Sequence, residues 1–127
     1  MTRIRTIATG AILALAMLAL ASSAFAAKRP EVRVTGTCTG ASTSKLKLKV
    51  EDTGIQAQFE VDQNRVGVTW SWSFSRSGAE LASGTAVTRA PSGSFSVSRT
   101  LSNAAGPDTI VATATRAGES CTAVATL

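Results

Sequence analysis

The residues considered for catalysis are carboxylates, because none of the 127 residues of this chain is a histidine. That absence excludes Ser-His-Asp and Cys-His machinery as well as imidazole metal sites. Glu51 and Asp52 precede an alternating apolar stretch that begins at Ile55, and Glu60 and Asp62 end it. A glycoside hydrolase needs two carboxyl groups about 5–9.5 Å apart across a cleft. Alternation instead puts Glu60 and Asp62 on a solvent face, so we predict surface charges and no enzyme, and a carboxylate hydrolase ranks third among our hypotheses.

A stripe of three lysines, Lys45, Lys47 and Lys49, alternates with apolar residues over positions 45–50. On a strand these lysines would share one face at a spacing of about 7 Å. The stripe could contact an anionic envelope polymer or an acidic protein, or it could be the solvated face of an outer or edge strand. No aromatic residue alternates with the lysines, and residues 27–127 hold only 11 Lys and Arg against 8 acids. We therefore expect no nucleic-acid partner.

Three aromatic residues, Trp70, Trp72 and Phe74, also alternate and so share one strand face. Such a stripe can stack on sugar rings or apolar ligands, and it can equally form the centre of a core. Because large apolar residues are few elsewhere, the sequence favours the core and leaves one tryptophan at a sheet end as the alternative. Lys45, Lys47, Lys49, Trp70 and Trp72 together make up the candidate binding surface.

The two cysteines, Cys38 and Cys121, are predicted to form a disulfide that ties the first strand to the last. Counted inclusively, this bond closes a loop of 84 residues. Two thiols without histidine do not complete a usual zinc site, and the pair lacks the Cys-x-x-Cys spacing of redox sites. The segment 62–67, DQNRVG, has oxygen ligands where a calcium loop begins but no glutamate where one ends, so it predicts a turn. We expect no metal and no cofactor.

The first 26 residues have the pattern of a signal peptide helix. Arg3 and Arg5 precede an apolar run from about Ile7 to Leu20, and Ala24-Phe25-Ala26 suits a signal peptidase. The run is shorter than the roughly 20 residues that span a bilayer. We therefore expect cleavage after residue 26, secretion to an extracellular or periplasmic space, and no membrane association after cleavage.

Residues 27–127 alternate between apolar and polar with a period of two almost throughout, which predicts one all-β domain. Turn residues separate eight predicted strands, at 31–38, 45–50, 55–61, 66–75, 81–88, 95–101, 109–115 and 121–127. Strands that bury only one side are typical of antiparallel sheets packed face to face, so we predict a β-sandwich of about 7–8 strands, with a small closed barrel as the alternative. Arg99 alone breaks the apolar face of its strand.

The segments 51–70, 89–97 and 118–127 carry a resemblance to immunoglobulin-like and fibronectin-III-like sandwiches. The chain is similar to small secreted bacterial proteins of this kind, which have a signal peptide, one early cysteine and one late cysteine. The resemblance implies a fold and no particular activity. It departs from antibody domains, in which the disulfide joins two middle strands around a tryptophan.

These patterns favour a secreted, non-catalytic binding or structural module for an unknown extracellular or cell-envelope ligand. The alternative is a secreted inhibitor or effector that acts through an exposed loop such as Arg89–Gly93. In the binding hypothesis, the end loops at 39–44, 62–66 and 103–107 would present the ligand, together with the outer sheet faces.

Overall fold

The computed structural model describes residues 28–127, so the signal peptide predicted at 1–26 lies outside the described residues. The described part is all-β and contains no helix that could cross a membrane. Its nine strands are β1 (Glu31–Thr35), β2 (Thr37–Cys38), β3 (Thr43–Glu51), β4 (Gly54–Asp62), β5 (Thr69–Arg76), β6 (Ala79–Val87), β7 (Ser94–Leu101), β8 (Thr109–Arg116) and β9 (Glu119–Thr126).

The strands form two antiparallel sheets, which confirms a sandwich rather than one closed barrel. The first sheet has the order β1-β3-β4-β7, and the second has the order β2-β9-β8-β5-β6. Each sheet turns its apolar side chains toward the other, because residues alternate between the two faces of a strand.

The first predicted strand, 31–38, is two strands in the structure. Gly36 lies between them, where the chain leaves the first sheet and joins the second. A Cβ atom at Gly36 would lie 2.7 Å from the Thr122 carbonyl oxygen and 2.9 Å from the Ala123 Cβ. Only a residue without a side chain can pass this close to β9, and this crossing explains nine strands instead of eight.

The fifth strand begins at Thr69 rather than at Val66. The Asp62 carboxylate accepts a hydrogen bond from the Asn64 backbone N–H at 3.0 Å, and Asn64 has a positive φ of 57°. This Asx turn is the predicted turn chemistry, and it delays the strand until the chain has crossed to the second sheet.

The core lies between the sheets and is built mainly from large side chains of β3, β4, β5 and β7 against alanines of β8 and β9. Phe59 of the first sheet contacts Phe74 of the second edge to face, with ring centroids 6.4 Å apart. On the second sheet, Ala112 and Ala114 of β8 lie opposite Phe74 and Trp72 of β5, so small residues adjoin large ones. This alternation of large and small residues fills the core.

The predicted disulfide is present. Cys38 of β2 lies directly opposite Cys121 of β9, with their Cα atoms 4.0 Å apart. The bond therefore ties the start of the domain to its last strand.

Candidate functional site

The two tryptophans of the candidate binding surface lie in the core. Trp70 is 0% exposed and Trp72 is 3% exposed. The Trp70 indole N–H donates to the Gln63 side-chain oxygen at 3.0 Å, which satisfies its polar atom inside the protein. Neither ring is accessible for stacking on a ligand, so the sequence-based candidate surface is reduced to its lysines.

The three lysines lie on the outer face of the first sheet. They are on β3, which is flanked by β1 on one side and by β4 on the other. Their neighbours on β3, Leu46 and Leu48, are buried in the core at 1% and 0% exposure. The strand therefore holds the lysine side chains on a rigid, regular support.

The register places a different partner opposite each lysine. Lys49 faces Glu31 on β1, and Lys45 faces Glu60 on β4. The two ends of the stripe therefore each face a carboxylate across the ladder.

Lys47 faces Arg33 on one side and Gln58 on the other. Two cations directly opposite each other repel, so this pair destabilises the sheet when no ligand is bound. Glu31 accepts from the Arg33 Nε at 2.7 Å, whereas no ion pair among residues 28–127 involves Lys47. Lys45 also forms no ion pair among these residues, and Lys49 lies 4.0 Å from Glu51. Lys47 therefore differs from the other two lysines in facing a second cation, Arg33, across the ladder.

A groove of about 360 Å³ runs over this point and is called the Lys47 groove below. Its polar lining consists of Arg33, Thr35, Lys45, Lys47, Gln58 and Glu60. The Arg33 side chain, through its hydrogen bond, holds the pKa of the adjacent Glu31 carboxyl below its ordinary value of 4.5. Glu31 therefore stays ionised and holds the guanidinium from one side.

The Lys47 groove combines groups that suit a ligand with both an anionic group and hydroxyl groups. A guanidinium and an ammonium can bind a carboxylate, sulfate or phosphate, with the planar guanidinium able to donate twice. Beside them, the Gln58 amide, the Thr35 hydroxyl and the Glu60 carboxylate offer hydrogen bonds to neutral hydroxyls. The groove contains no nucleophile activated by a base.

Arg33 and Gln58 are site residues that sequence reasoning missed. Alternation alone puts Arg33 on the outer face of its strand, but its position opposite Lys47 depends on how β1 pairs with β3. The isolated sequence carries no signal for that register.

The structure separates the acids considered for hydrolysis. Glu51 and Asp52 lie at the turn between β3 and β4, while Glu60 and Asp62 lie at the far end of β4. Arg29 forms ion pairs with both acids at the turn, at 3.7 and 2.7 Å. The intervening strand keeps the two acidic pairs about 20–25 Å apart, so one acid from each end cannot form a catalytic pair.

The Arg89–Gly93 segment, the proposed inhibitory loop, is a closed turn. The Gly93 N–H donates to the Arg89 carbonyl at 2.8 Å, and the Arg89 N–H donates to the Ser94 carbonyl at 2.8 Å. Gly93 is buried, and a Cβ there would lie 2.2 Å from the Arg65 backbone nitrogen. Residues 89–92 are nevertheless exposed, so the segment is an ordered turn that remains accessible at the surface.

Cys38, Cys121 and Glu119 bring their sulfur and oxygen atoms within 4.8 Å of one another. The two sulfurs are bonded to each other, so they are not thiolate ligands for a metal. The Glu119 carboxylate forms an ion pair with Arg116 at 2.8 Å and accepts from the Ser42 N–H at 3.0 Å. This cluster is a satisfied structural contact beside the disulfide.

In comparisons with known proteins, no family model, no curated protein and no solved structure matches the chain. The function is therefore argued from the geometry of the Lys47 groove.

Proposed function

We propose that the protein is a secreted, non-catalytic binding module that recognises an anionic, hydroxyl-bearing polymer of the cell envelope or extracellular space. Acidic polysaccharides and phosphate-linked polyols belong to this class. The observation that carries the proposal is the position of Arg33 and Lys47, which lie opposite each other across the β1–β3 ladder and both line the groove.

The energetic argument is that the ligand relieves an existing repulsion. A cross-strand pair of like charges is destabilising in the free protein. An anion placed between the two cations replaces that repulsion with two favourable contacts. Relief of this repulsion contributes to the binding free energy of an anion. Without a ligand, the exposed charges keep this face of the sheet soluble.

Secretion is part of the proposal. The pattern of residues 1–26 is typical of an export signal. The disulfide supports it, because such bonds persist in oxidising compartments.

We also propose that the sandwich is immunoglobulin-like. The chain places β3 and β4 in the first sheet, β5 and β6 in the second, β7 in the first, and β8 and β9 in the second. These crossings make a Greek-key sandwich of seven strands, and β1 and β2 add an N-terminal strand shared by both sheets. Domains of this architecture commonly bind through a sheet face or an end loop, which agrees with the position of the Lys47 groove.

Binding to defined polyanions tests the proposal. The purified exported protein would be titrated with heparin, polygalacturonate and poly(glycerol phosphate), and with neutral dextran as the uncharged probe. We expect binding to at least one anionic probe, with an affinity that falls as NaCl rises from 50 to 200 mM because salt screens exposed charges. The double variant R33Q/K47Q should weaken this binding at least tenfold.

The matched control is R65Q/R89Q, which removes the same charge from exposed residues outside the groove. We expect this variant to weaken binding less than threefold. Equal losses in both variants would show that net charge alone attracts the polymer. Absence of binding to all three anionic probes would refute the proposed function.

A further inference from the structure

A second groove, with a volume of about 700 Å³, adjoins the Lys47 groove. Its lining consists of Lys28, Arg29, Glu31, Arg33 and Lys49. Arg33 lines both grooves, and Lys49 follows Lys47 by two residues on the same face of β3. The two grooves therefore follow one another along β3. They form a single path, called the lysine track below, that passes Lys45, Lys47 and Lys49.

The ammonium groups of the lysine track are available to a ligand. Among the described residues, neither Lys45 nor Lys47 forms an ion pair, and the one ion pair of Lys49 is a long contact of 4.0 Å. The Glu31 carboxylate, which faces Lys49 across the ladder, is bonded to the Arg33 Nε instead. Because the strand holds alternate Cα atoms about 7 Å apart, the track offers three cations at regular intervals over about 14 Å.

Amide groups flank the lysine track at the same intervals. On β4, Gln58 lies opposite Lys47, and Gln56 lies two residues earlier, opposite Lys49. Gln58 donates one N–H to the Ser96 Oγ at 3.2 Å and keeps its carbonyl oxygen and second N–H for other partners. Each amide can donate to or accept from a neutral hydroxyl group. A ligand that suits the track therefore carries hydroxyl groups between its anionic groups.

The interval along the lysine track restricts which polymers suit it. Two residues of a β-strand contain six backbone bonds and advance by about 7 Å. A polymer of 1,3-linked glycerol phosphate also has six backbone bonds from one phosphorus to the next, so its extended repeat has about the same length. Because six is an even number, successive phosphates of the extended chain lie on one side, as alternate side chains of a strand do.

Acidic polysaccharides suit this interval less well, because their anionic groups are carried on rigid rings. A 1,4-linked uronate advances the chain by about 5 Å and the ring turns from one sugar to the next, so carboxylates on one side are about 10 Å or more apart. A rigid chain of this kind places carboxylates at no more than two of the three lysines.

We propose that the lysine track binds a linear polymer of 1,3-linked glycerol phosphate lengthwise, with three successive phosphates at Lys45, Lys47 and Lys49. This inference rests on the proposed function and names its ligand. Arg33 lies opposite Lys47 and donates to the central phosphate, for which its planar guanidinium suits two N–H donors. The free hydroxyl of each glycerol unit lies beside the two glutamines of β4.

The expected gain from each phosphate is modest, because the lysines are on the surface. An exposed ion pair changes an equilibrium constant by about one-and-a-half- to fivefold. Extension of a ligand from one phosphate to three adds two such contacts, so it should raise the affinity about tenfold. A site that holds a single phosphate at Arg33 and Lys47 would show no comparable gain.

NMR titration with short, glycerol-capped oligomers tests the number of phosphates. For the exported protein in 50 mM NaCl, an oligomer with three phosphodiesters should bind about tenfold more tightly than one with a single phosphodiester. In K45Q/K49Q, which keeps Arg33 and Lys47, this ratio should fall below about threefold. The matched control R65Q/R89Q removes the same charge from exposed residues outside the track and should keep the ratio of the wild type.

Trigalacturonate tests the spacing, because it carries the same three negative charges on rigid rings. We expect it to bind the wild type about threefold or more weakly than the three-phosphate oligomer, since at least one of its carboxylates has no lysine to contact. In K45Q/K49Q the difference between the two ligands should disappear. The NMR spectrum of each variant shows in the same experiment that the domain is folded.

A wild-type affinity that rises less than twofold from one phosphate to three would overturn the inference, and so would an unchanged ratio in K45Q/K49Q. Equal or tighter binding of trigalacturonate would reject glycerol phosphate as the ligand. In each of these cases the proposed function stands if R33Q/K47Q still weakens the binding of a polyanion selectively. Absence of binding to every anionic probe refutes both.

Discussion

Reduction of the disulfide should remove a large share of the stability of the domain. The bond joins residues 83 positions apart, so it closes nearly the whole described chain into one loop. On the chain-entropy model, opening an 84-residue loop in the unfolded state costs about 4.5 kcal/mol of folding free energy. A domain of about 100 residues has a total stability of about 5–15 kcal/mol, so the loss amounts to about 30–90% of it.

The folded state should change little when the bond opens. β1 keeps its five paired residues on β3, and the Thr39 N–H still donates to the Ser120 carbonyl. The effect therefore arises mainly in the unfolded chain, which gains freedom. With an unfolding entropy of about 0.2 kcal/mol per kelvin for a domain of this size, the expected fall in Tm is about 20 °C.

Urea unfolding followed by tryptophan fluorescence measures this difference, because Trp70 and Trp72 are buried and become exposed on unfolding. Cys121 is 0% exposed, so the reductant must be added in urea before refolding. The reduced wild type lacks the cross-link but keeps both sulfur atoms. The double variant C38A/C121A, which also lacks the cross-link, serves as a second comparison with the oxidised protein. A loss below about 1 kcal/mol in the reduced protein would refute the loop-closure argument.

Two further predictions concern buried charges. Arg76→Met should destabilise the domain by about 3 kcal/mol, because it leaves the buried Asp108 carboxylate, which is 2% exposed and lies 2.9 Å from the Arg76 Nε, without its cation. In urea unfolding, the double variant Arg76→Met/Asp108→Leu should lose less stability than Arg76→Met alone, because it removes the unpaired carboxylate as well. A larger loss in the double variant would contradict this account. The Ser42 side chain and backbone, together with Arg116, hold the pKa of Glu119 below 4.5 against the opposing effect of burial. The stability that ionised Glu119 contributes is therefore present above pH 4.5 and is lost as the pH falls through the lowered pKa. In Glu119→Gln, Tm should consequently decrease less steeply than in the wild type as the pH falls below about 4.5. An equal decrease of Tm in both proteins would contradict this account.

Most of the fold could be predicted because the alternation of apolar and polar residues along each strand indicates which of its faces is buried. The alternation of Leu46, Leu48, Phe59 and Val61 specifies which side is buried before any partner is known. Gly36 shows the limit of this reasoning, because its role depends on the approach of Thr122, which lies far along the sequence. A pattern of period two continues unchanged through a point where the chain changes sheets.

Less of the candidate site could be predicted, since it depends on pairing between strands. The lysines were correctly placed on one face, but Glu31 and Glu60 face two of them across the ladder. Only Lys47 faces a second cation, Arg33. Register is a tertiary property, and neither the spacing of Lys45 and Lys49 nor the composition encodes it.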